Sequence, residues 1–434
     1  MAESSPMPTP LLHDSPPRVR SPDRQQILSA MSVDGLLDTE HQARIVWEFC
    51  RGLDLSSLYN QIRSREGGPG RAALDPRLGV ALWLYATLEG VGSARALDTL
   101  CIEHNAFRWL CGGVTVNYHT LADFRTDHLG FLDRMLTHSV AVLREQDLVD
   151  LNRVALDGMR VRASAGAASF RRRPTLVECL VEAEDQVARL KEEMDDDPSA
   201  PSRRHAAARE RAARERVERV EQALGRLPEL EAKKKPTDRD KTRCSTTDPQ
   251  ATVMKMADGG FRPAYNVEMA AAVGSLAIVA VEVTTSGSDC GQITPLVDQV
   301  RDRHGVCPRE VLADGGCVNL ADIEHATDAS HGCTVYAPVP EPKDPTRDRH
   351  QALPTDSAAI REWRVRMGTE AGKEVYKQRA ATIECVNVQT RNRGLLRLLV
   401  RGVEKVKAVA LWFAVAHNVA CGVRLHAERL EAVT

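Results

Sequence analysis

The sequence predicts an α/β protein, with a mixed-sheet core preceded by an all-helical region and interrupted by an inserted antiparallel helical hairpin. Three observations point there. From about residue 38 to 149, apolar residues recur at helical spacing between capping residues. Near residues 170–235, two long arms repeat an apolar rhythm of fours and threes. On either side of those arms, short Val- and Ile-rich runs alternate with helical stretches, as in a sheet covered by helices.

The helical region comes first. Asp38 is placed to cap a helix carrying Ile45, Val46, Phe49 and Leu53. In "DPRLGVALWLYATLEG", Asp75 reads as the N-cap and Pro76 as the first helical residue, with Gly90 and Gly92 past the end. Ser93 starts another helix, and "TLADFRTDHLGFLDRMLTHSVAVLREQ" supplies one or two more. Short helices with Gly-containing turns suit a helix-turn-helix DNA module, and equally any small helical domain.

Next, "RVALDGMRVRA" (153–163) reads as a core strand holding Asp157. Asp-Gly suits a turn or bulge, and a carboxylate held on a strand suits metal chemistry. The hairpin follows. Leu176, Leu180, Ala183, Val187, Leu190 and Met194 face Ala213, Val217, Val220, Leu224 and Leu227 across the return "DDDPSAPS". The first arm is acidic. Residues 203–243 hold fourteen Lys/Arg against eight Asp/Glu, so the arms complement each other in charge. The Arg face and Lys233–Lys235 are also placed to touch phosphates.

Beyond the hairpin, "FRPAYNVEMAAAV" and "LAIVAVEVTTS" read as neighbouring strands. Asp289 is expected to cap a helix through "QITPLVDQVRDRH", and "REVLADGGC" is a short strand ending at Asp314. A helix, the strand "CTVYAPV", a polar loop and helices at about 358–390 and 401–427 close the chain.

Composition bounds the function. At 434 residues, two or three domains are expected. Net charge is −2, so any surface for nucleic acid must come from local segregation of charge. The eleven cysteines include no C-x-x-C pair, which argues against a zinc cage or a secreted disulfide framework and fits a reducing cytosol. No run approaches the ~20 apolar residues of a membrane span. The Pro-rich residues 1–34 are expected to be a disordered tail.

With the hairpin set aside, three strands, a helix, a strand ending at Asp314, a helix, a fifth strand and closing helices remain. If the first and fourth strands are adjacent, Asp157 and Asp314 meet, and a carboxylate from a closing helix completes a site. Such acids hold two divalent cations about 3.5–4 Å apart for phosphodiester cleavage. Magnesium suits an all-oxygen ligand set.

"VALDGMRVRA", "STTDPQATVMKMADGGFRPAYNVEMAA", "VLADGG" and "YKQRAATIECVNVQTRNRGLLRLLVRGVEKVKAVALWFAVAHNV" closely resemble the DDE transposases of bacterial insertion sequences. Residues 35–130 are similar to their helical N-terminal domain. The resemblance implies a ribonuclease-H-like core, with Asp157, Asp314 and Glu384 as catalytic acids and ligands of two Mg²⁺ ions, Mn²⁺ being a substitute. It divides the chain into a tail (1–34), a helical DNA-binding domain (35–150) and a catalytic domain (151–434) carrying the hairpin. A related signature puts Tyr, Arg, Glu and Lys on the last catalytic helix. Here Tyr376, Arg379 and Glu384 match, and Arg391 stands at the lysine position. Tyr376, Arg379 and Arg391 are thereby expected to bind DNA phosphate. The spacing from Arg379 to Glu384 is one residue longer than in that signature.

The implied partners are double-stranded DNA, as terminal inverted repeats and target, and a second copy of the chain assembled on that DNA, with no membrane. The implied location is the bacterial cytoplasm, on the nucleoid when bound to DNA. A structure-selective nuclease on the same core and a catalytically silent DNA-binding descendant are the alternatives. Asp258 is expected in a turn, His417 and Asn418 in packing, and Tyr265 and Asn266 in structural roles. Glu370 and Glu374 share the helix of Glu384, and Glu374 is expected to be an exposed, helix-stabilising residue.

Overall fold

The structure is a computed structural model, and it describes residues 32–64, 72–196 and 200–433. The expected tail lies outside the described residues except for its last three. Of these, Val33 and Asp34 belong to an ordered turn (Val33–Leu36), where Asp34 pairs with Arg44 at 2.9 Å.

Among the described residues, seven α-helices precede the first strand: α1 (Gln42–Arg51), α2 (Ser56–Tyr59), α3 (Pro76–Leu88), α4 (Ala94–Glu103), α5 (Asn105–Cys111), α6 (Tyr118–Thr126) and α7 (Leu129–Glu145). Asp75 caps α3 by accepting the Arg77 N–H at 2.8 Å, and Ser93 caps α4. Asp38 does not cap α1. The chain turns once more before the helix begins, and the His41 ring accepts the Ala43 N–H at 3.1 Å instead. Leu53 falls past the end of α1 but stays buried.

β1 (Arg153–Arg162) then runs unbroken through Asp157 and Gly158, so Asp-Gly here is strand and not turn. β2 (Phe170–Arg171) and β3 (Cys244–Ser245) form a two-stranded clasp at the base of the hairpin, α8 (Arg173–Asp196) and α9 (Ala200–Ala232). Leu176, Ala183, Leu190, Ala213, Val220 and Leu227 are buried along its seam. Ion pairs Arg216–Glu182, Arg209–Glu193 and Arg173–Glu231 cross between the arms. Residues 197–199 of the return lie outside the described residues.

The sheet continues with β4 (Thr252–Lys255), β5 (Phe261–Ala272) and β6 (Ile278–Thr284), then β7 (Glu310–Leu312) and β8 (Thr334–Tyr336). β5 lies antiparallel to β1, while β4 and β6 share the far edge of β5, one after the other. β7 lies parallel to β1 on its other side, and β8 parallel to β7. The core order β6–β5–β1–β7–β8 follows from an antiparallel meander extended by two helix crossovers, α10 (Ile293–His304) and α11 (Leu320–Thr327). This is a ribonuclease-H-like arrangement.

The closing segment is α12 (Ala358–Gly368), α13 (Glu370–Arg379), one π turn (Ala380–Glu384), α14 (Cys385–Asn392) and α15 (Val403–Val433). By length and composition α15 could cross a membrane, but 78% of its most apolar stretch is buried inside the protein. It packs between the N-terminal helices and the sheet. Trp412 donates to the Arg125 carbonyl at 3.0 Å, and Asn418 bonds both backbone groups of Ile278 as well as Ser139. His417 bonds the Leu276 carbonyl at 2.9 Å, so this pair holds elements together. Tyr265 does the same, donating to Asp248 at 2.7 Å. The helices of residues 42–145 and the sheet thereby share one apolar core.

Candidate active site

Strand register places the first two acids. Ala155 pairs with Leu312 in the parallel β1–β7 ladder. Two residues further along each strand stand Asp157 (155 + 2) and Asp314 (312 + 2). Equal offsets keep them on one face, and neighbouring strands lie only about 4.8 Å apart. The ladder ends before them, and Asp157 lies within reach of the Asp314 charge. Asp314 sits at the head of a short 3₁₀ turn (Gly315–Cys317), accepting the Gly316 N–H at 3.4 Å.

Arg379 brings in the third acid. Its guanidinium is 3.0 Å from Asp157 Oδ1 and 3.2 Å from Glu384 Oε1. On a regular α-helix, residues five apart point about 140° away from each other. The π turn between them, bonded i→i+5, takes up the extra residue and turns both side chains to one site. That accounts for the long Arg-to-Glu spacing. Asn387, which sequence reasoning passed over, donates to Asp157 Oδ2 at 2.9 Å. Its signal was positional: it stands three residues after Glu384 on the same helical face.

Tyr376 is half-buried within range of the charges of Arg379, Asp314 and Glu384, and burial raises its hydroxyl above the usual value. Arg391 lies farther off, its Nε 3.0 Å from the Met159 sulfur. With Arg160, Arg162, Lys255 and Arg262, it lines a cleft of about 590 Å³ that opens at Gly158. The signal for two of these was the alternation of Arg160 and Arg162 along β1, which puts both on one face. Glu374 is exposed and pairs with Lys377 at 2.6 Å, and Glu370 pairs with Lys373 at 2.8 Å. Neither contacts Arg379.

A second polar group lies across the strand. Asn266 and Glu268 on β5 are buried, and Asn266 donates to Glu268 at 2.6 Å and to Asp289 at 2.5 Å. Asp289 is therefore no helix cap: α10 starts four residues later with Gln292 at its N-cap position, and the Asp289 carboxyl turns inward. A Cβ on Gly158 would collide with both Asp289 and Glu268, which gives the glycine its physical reason. Burial, reinforced by Asp289, pushes the Glu268 carboxyl up to about 9. Asp258 is the turn residue expected, accepting the Gly260 N–H at 3.0 Å and pairing with Arg262.

Burial also raises the Asp157 carboxyl; Arg379 opposes this, and the charges of Asp289 and Asp314 reinforce it. The atoms that converge are carboxylate oxygens, with one guanidinium between two of them. Such a set suits a hard divalent cation, which would neutralise the charge that Asp157 and Asp314 place side by side.

Residues 32–127 match the family model described as Transposase domain (DUF772), and residues 329–421 match the model described as Transposase DDE domain. No curated protein and no solved structure matches the chain. Both matched models describe transposase domains, at the two ends of the chain, and are consistent with an insertion-sequence DDE transposase. Glu384 and Arg379 fall within the second match, whereas Asp157 and Asp314 precede it.

Proposed function

We propose that this protein recognises the terminal inverted repeats of an insertion sequence, cuts at its ends with the help of divalent cations, and joins the freed ends to target DNA. The observation that carries this reading is the register that sets Asp157 beside Asp314, with Glu384 tied to Asp157 through Arg379.

In this reading, Asp157, Asp314 and Glu384 would hold two Mg²⁺ ions, which Mn²⁺ could replace. When bound, they promote ionisation of water and steady the charge that develops on the phosphodiester. Asn387 fixes the rotamer of Asp157. Arg379, whose guanidinium lies between Asp157 and Glu384, would offer a planar donor fork to the non-bridging phosphate oxygens. Tyr376 borders that phosphate, and Arg391 with the other basic residues of the cleft cradles the strand leading to it. In the first step a water oxygen attacks phosphorus, the P–O3′ bond breaks, and the element's end keeps a 3′-hydroxyl. In the second, that hydroxyl loses its proton and attacks a target phosphodiester, and a target 3′-oxygen leaves and is protonated. No covalent bond to the protein is needed; positioning and charge supply the catalysis.

The helical N-terminal domain and the basic arm of the hairpin are assigned to repeat binding, with two copies assembling on DNA in the cytoplasm. Replacing residues 172–243 by a short flexible linker should leave the remaining protein folded by circular dichroism while weakening repeat binding. Global unfolding would show the hairpin to be integral to the core. The direct test incubates purified protein and Mg²⁺ with DNA flanking its own gene. Cleavage followed by strand transfer is expected; cleavage alone would indicate a nuclease, and neither would indicate a silent DNA-binding protein.

A further inference from the structure

A third cluster of titratable groups lies away from the catalytic acids. Asp298 on α10, His325 on α11 and His331 in the turn before β8 direct one ligand atom each to a common point, all within 4.8 Å of one another. His331 Nε2 is 2.9 Å and His325 Nε2 is 3.5 Å from the same oxygen, Asp298 Oδ1. In a tetrahedral zinc site with bonds of about 2.0–2.2 Å, ligand atoms stand about 3.3–3.6 Å apart, so small side-chain shifts would bring these atoms to a cation's shell.

The surroundings are also built for it. The His331 side chain is 2% exposed, and its other ring nitrogen lies 3.2 Å from Asp328 Oδ1 and 2.8 Å from Ser330 Oγ. A carboxylate that accepts a hydrogen bond from Nδ1–H fixes the tautomer and leaves the Nε2 lone pair facing inward, the arrangement found behind metal-bound histidines.

Two acceptors thus face each other and call for a cation between them. Arg301 supplies one at present, its Nη1 2.7 Å from His331 Nε2 and its Nη2 3.3 Å from Asp298. Arg301 is partly exposed and also holds Asp302 at 3.2 Å, so it can withdraw to the surface without losing a partner.

We infer that Asp298, His325 and His331 form a site for a zinc-class divalent cation that pins α10 and α11 to the turn before β8. Two imidazoles and one carboxylate suit zinc better than magnesium, which prefers oxygen alone. The catalytic acids offer only oxygen, so the chain would separate two cations by ligand chemistry. Because β7 and β8 frame Asp314, the pinned elements are those that set the edge of the catalytic sheet.

The test needs no DNA and stands apart from the transposase reading. Full-length protein carrying Asp157→Asn and Asp314→Asn, so that the catalytic acids contribute little, is stripped with chelator and titrated with Zn²⁺. Metal content and calorimetry should give one zinc per chain, and Co²⁺ should give the visible spectrum of a tetrahedral site. His325→Gln and His331→Gln should remove that zinc, and Asp328→Asn should weaken it about tenfold or more. Arg301→Gln keeps all three ligands and removes the competing cation, so it should tighten binding. That variant also keeps the test decisive if a histidine variant fails to fold. No zinc retained by the parent, unchanged zinc in both histidine variants, or loss of zinc in Arg301→Gln would overturn the site.

Discussion

Two carboxylate groups flank the same dipeptide, Asp157–Gly158, and they behave oppositely. On the Asp157 face, Asp157 and Glu384 meet around the Arg379 guanidinium, with Asp314 on the neighbouring strand, and Glu384 is largely open to solvent. On the Gly158 face, Glu268 and Asp289 meet around the neutral amide of Asn266, deep in the protein, and a guanidinium, Arg160, reaches Asp289 alone, at 3.6 Å. The residue types are the same, and what differs is the countercharge and the access to water. A guanidinium lets carboxylates stay ionised, and an entering cation can replace it. The amide carries no charge and Arg160 pairs with Asp289 instead, so burial beside the Asp289 charge leaves Glu268 holding its proton. Residue type alone therefore does not make a ligand group.

The largest expected effect tests the open group. Asp157→Asn, Asp314→Asn or Glu384→Gln should each reduce Mg²⁺-dependent end cleavage about 10³-fold or more, the scale of several kcal/mol of charge stabilisation. Glu374→Gln, on an exposed ion pair, should keep most activity. Gel assays on one terminal-repeat DNA, with circular dichroism to check folding, make the comparison. A reversal between Glu384 and Glu374 would move the third ligand to Glu374.

A smaller effect tests the closed group. Gly158→Ala should destabilise the fold by about 1–3 kcal/mol through overpacking against Asp289 and Glu268. Thermal melting reads this directly, and an unchanged melting temperature would mean that the buried group has slack.

A further effect on the closed group concerns pH. The Glu268 carboxyl ionises at about 9 in the folded chain, well above its ordinary value of 4.5. Its contribution to stability is fully present below 4.5 and declines as pH rises towards 9, because only the unfolded chain releases the proton in that window. Glu268→Gln, a neutral mimic, should flatten that decline: relative to wild type, its melting temperature should be higher at pH 8 than at pH 5. Parallel curves for the two proteins in metal-free buffer would place Glu268 among the ionised groups.

Much of the fold was legible because it depends on local pattern. Asp75 and Ser93 declared their helices, the hairpin seam followed its apolar rhythm, and Val154, Leu156 and Val161 marked β1. The adjacency of Asp157 and Asp314 followed from strand order once the hairpin was set aside. What was not legible depends on distant partners. Asp289 looked like a cap because it precedes a helix, but its carboxyl is claimed by Asn266 on another strand. Glu268 lay hidden in an apolar run, and β4 was too short at Thr252–Lys255 to stand out from its turns. Asn387 became visible as a partner of Asp157 only in three dimensions.

The π turn before Glu384 has a consequence for how this helix tolerates change in length. It stores one residue of slack at the point where the catalytic face must be aimed. Deleting Ala381 would spend that slack: the turn would close to an ordinary α turn, Arg379 and Glu384 would stand four apart on one face, and α14 would keep its orientation. The same deletion one turn later, within α14, has no such reserve and would swing Asn387 and Arg391 by about 100° relative to Glu384. The helix is thus forgiving on one side of its glutamate and unforgiving on the other.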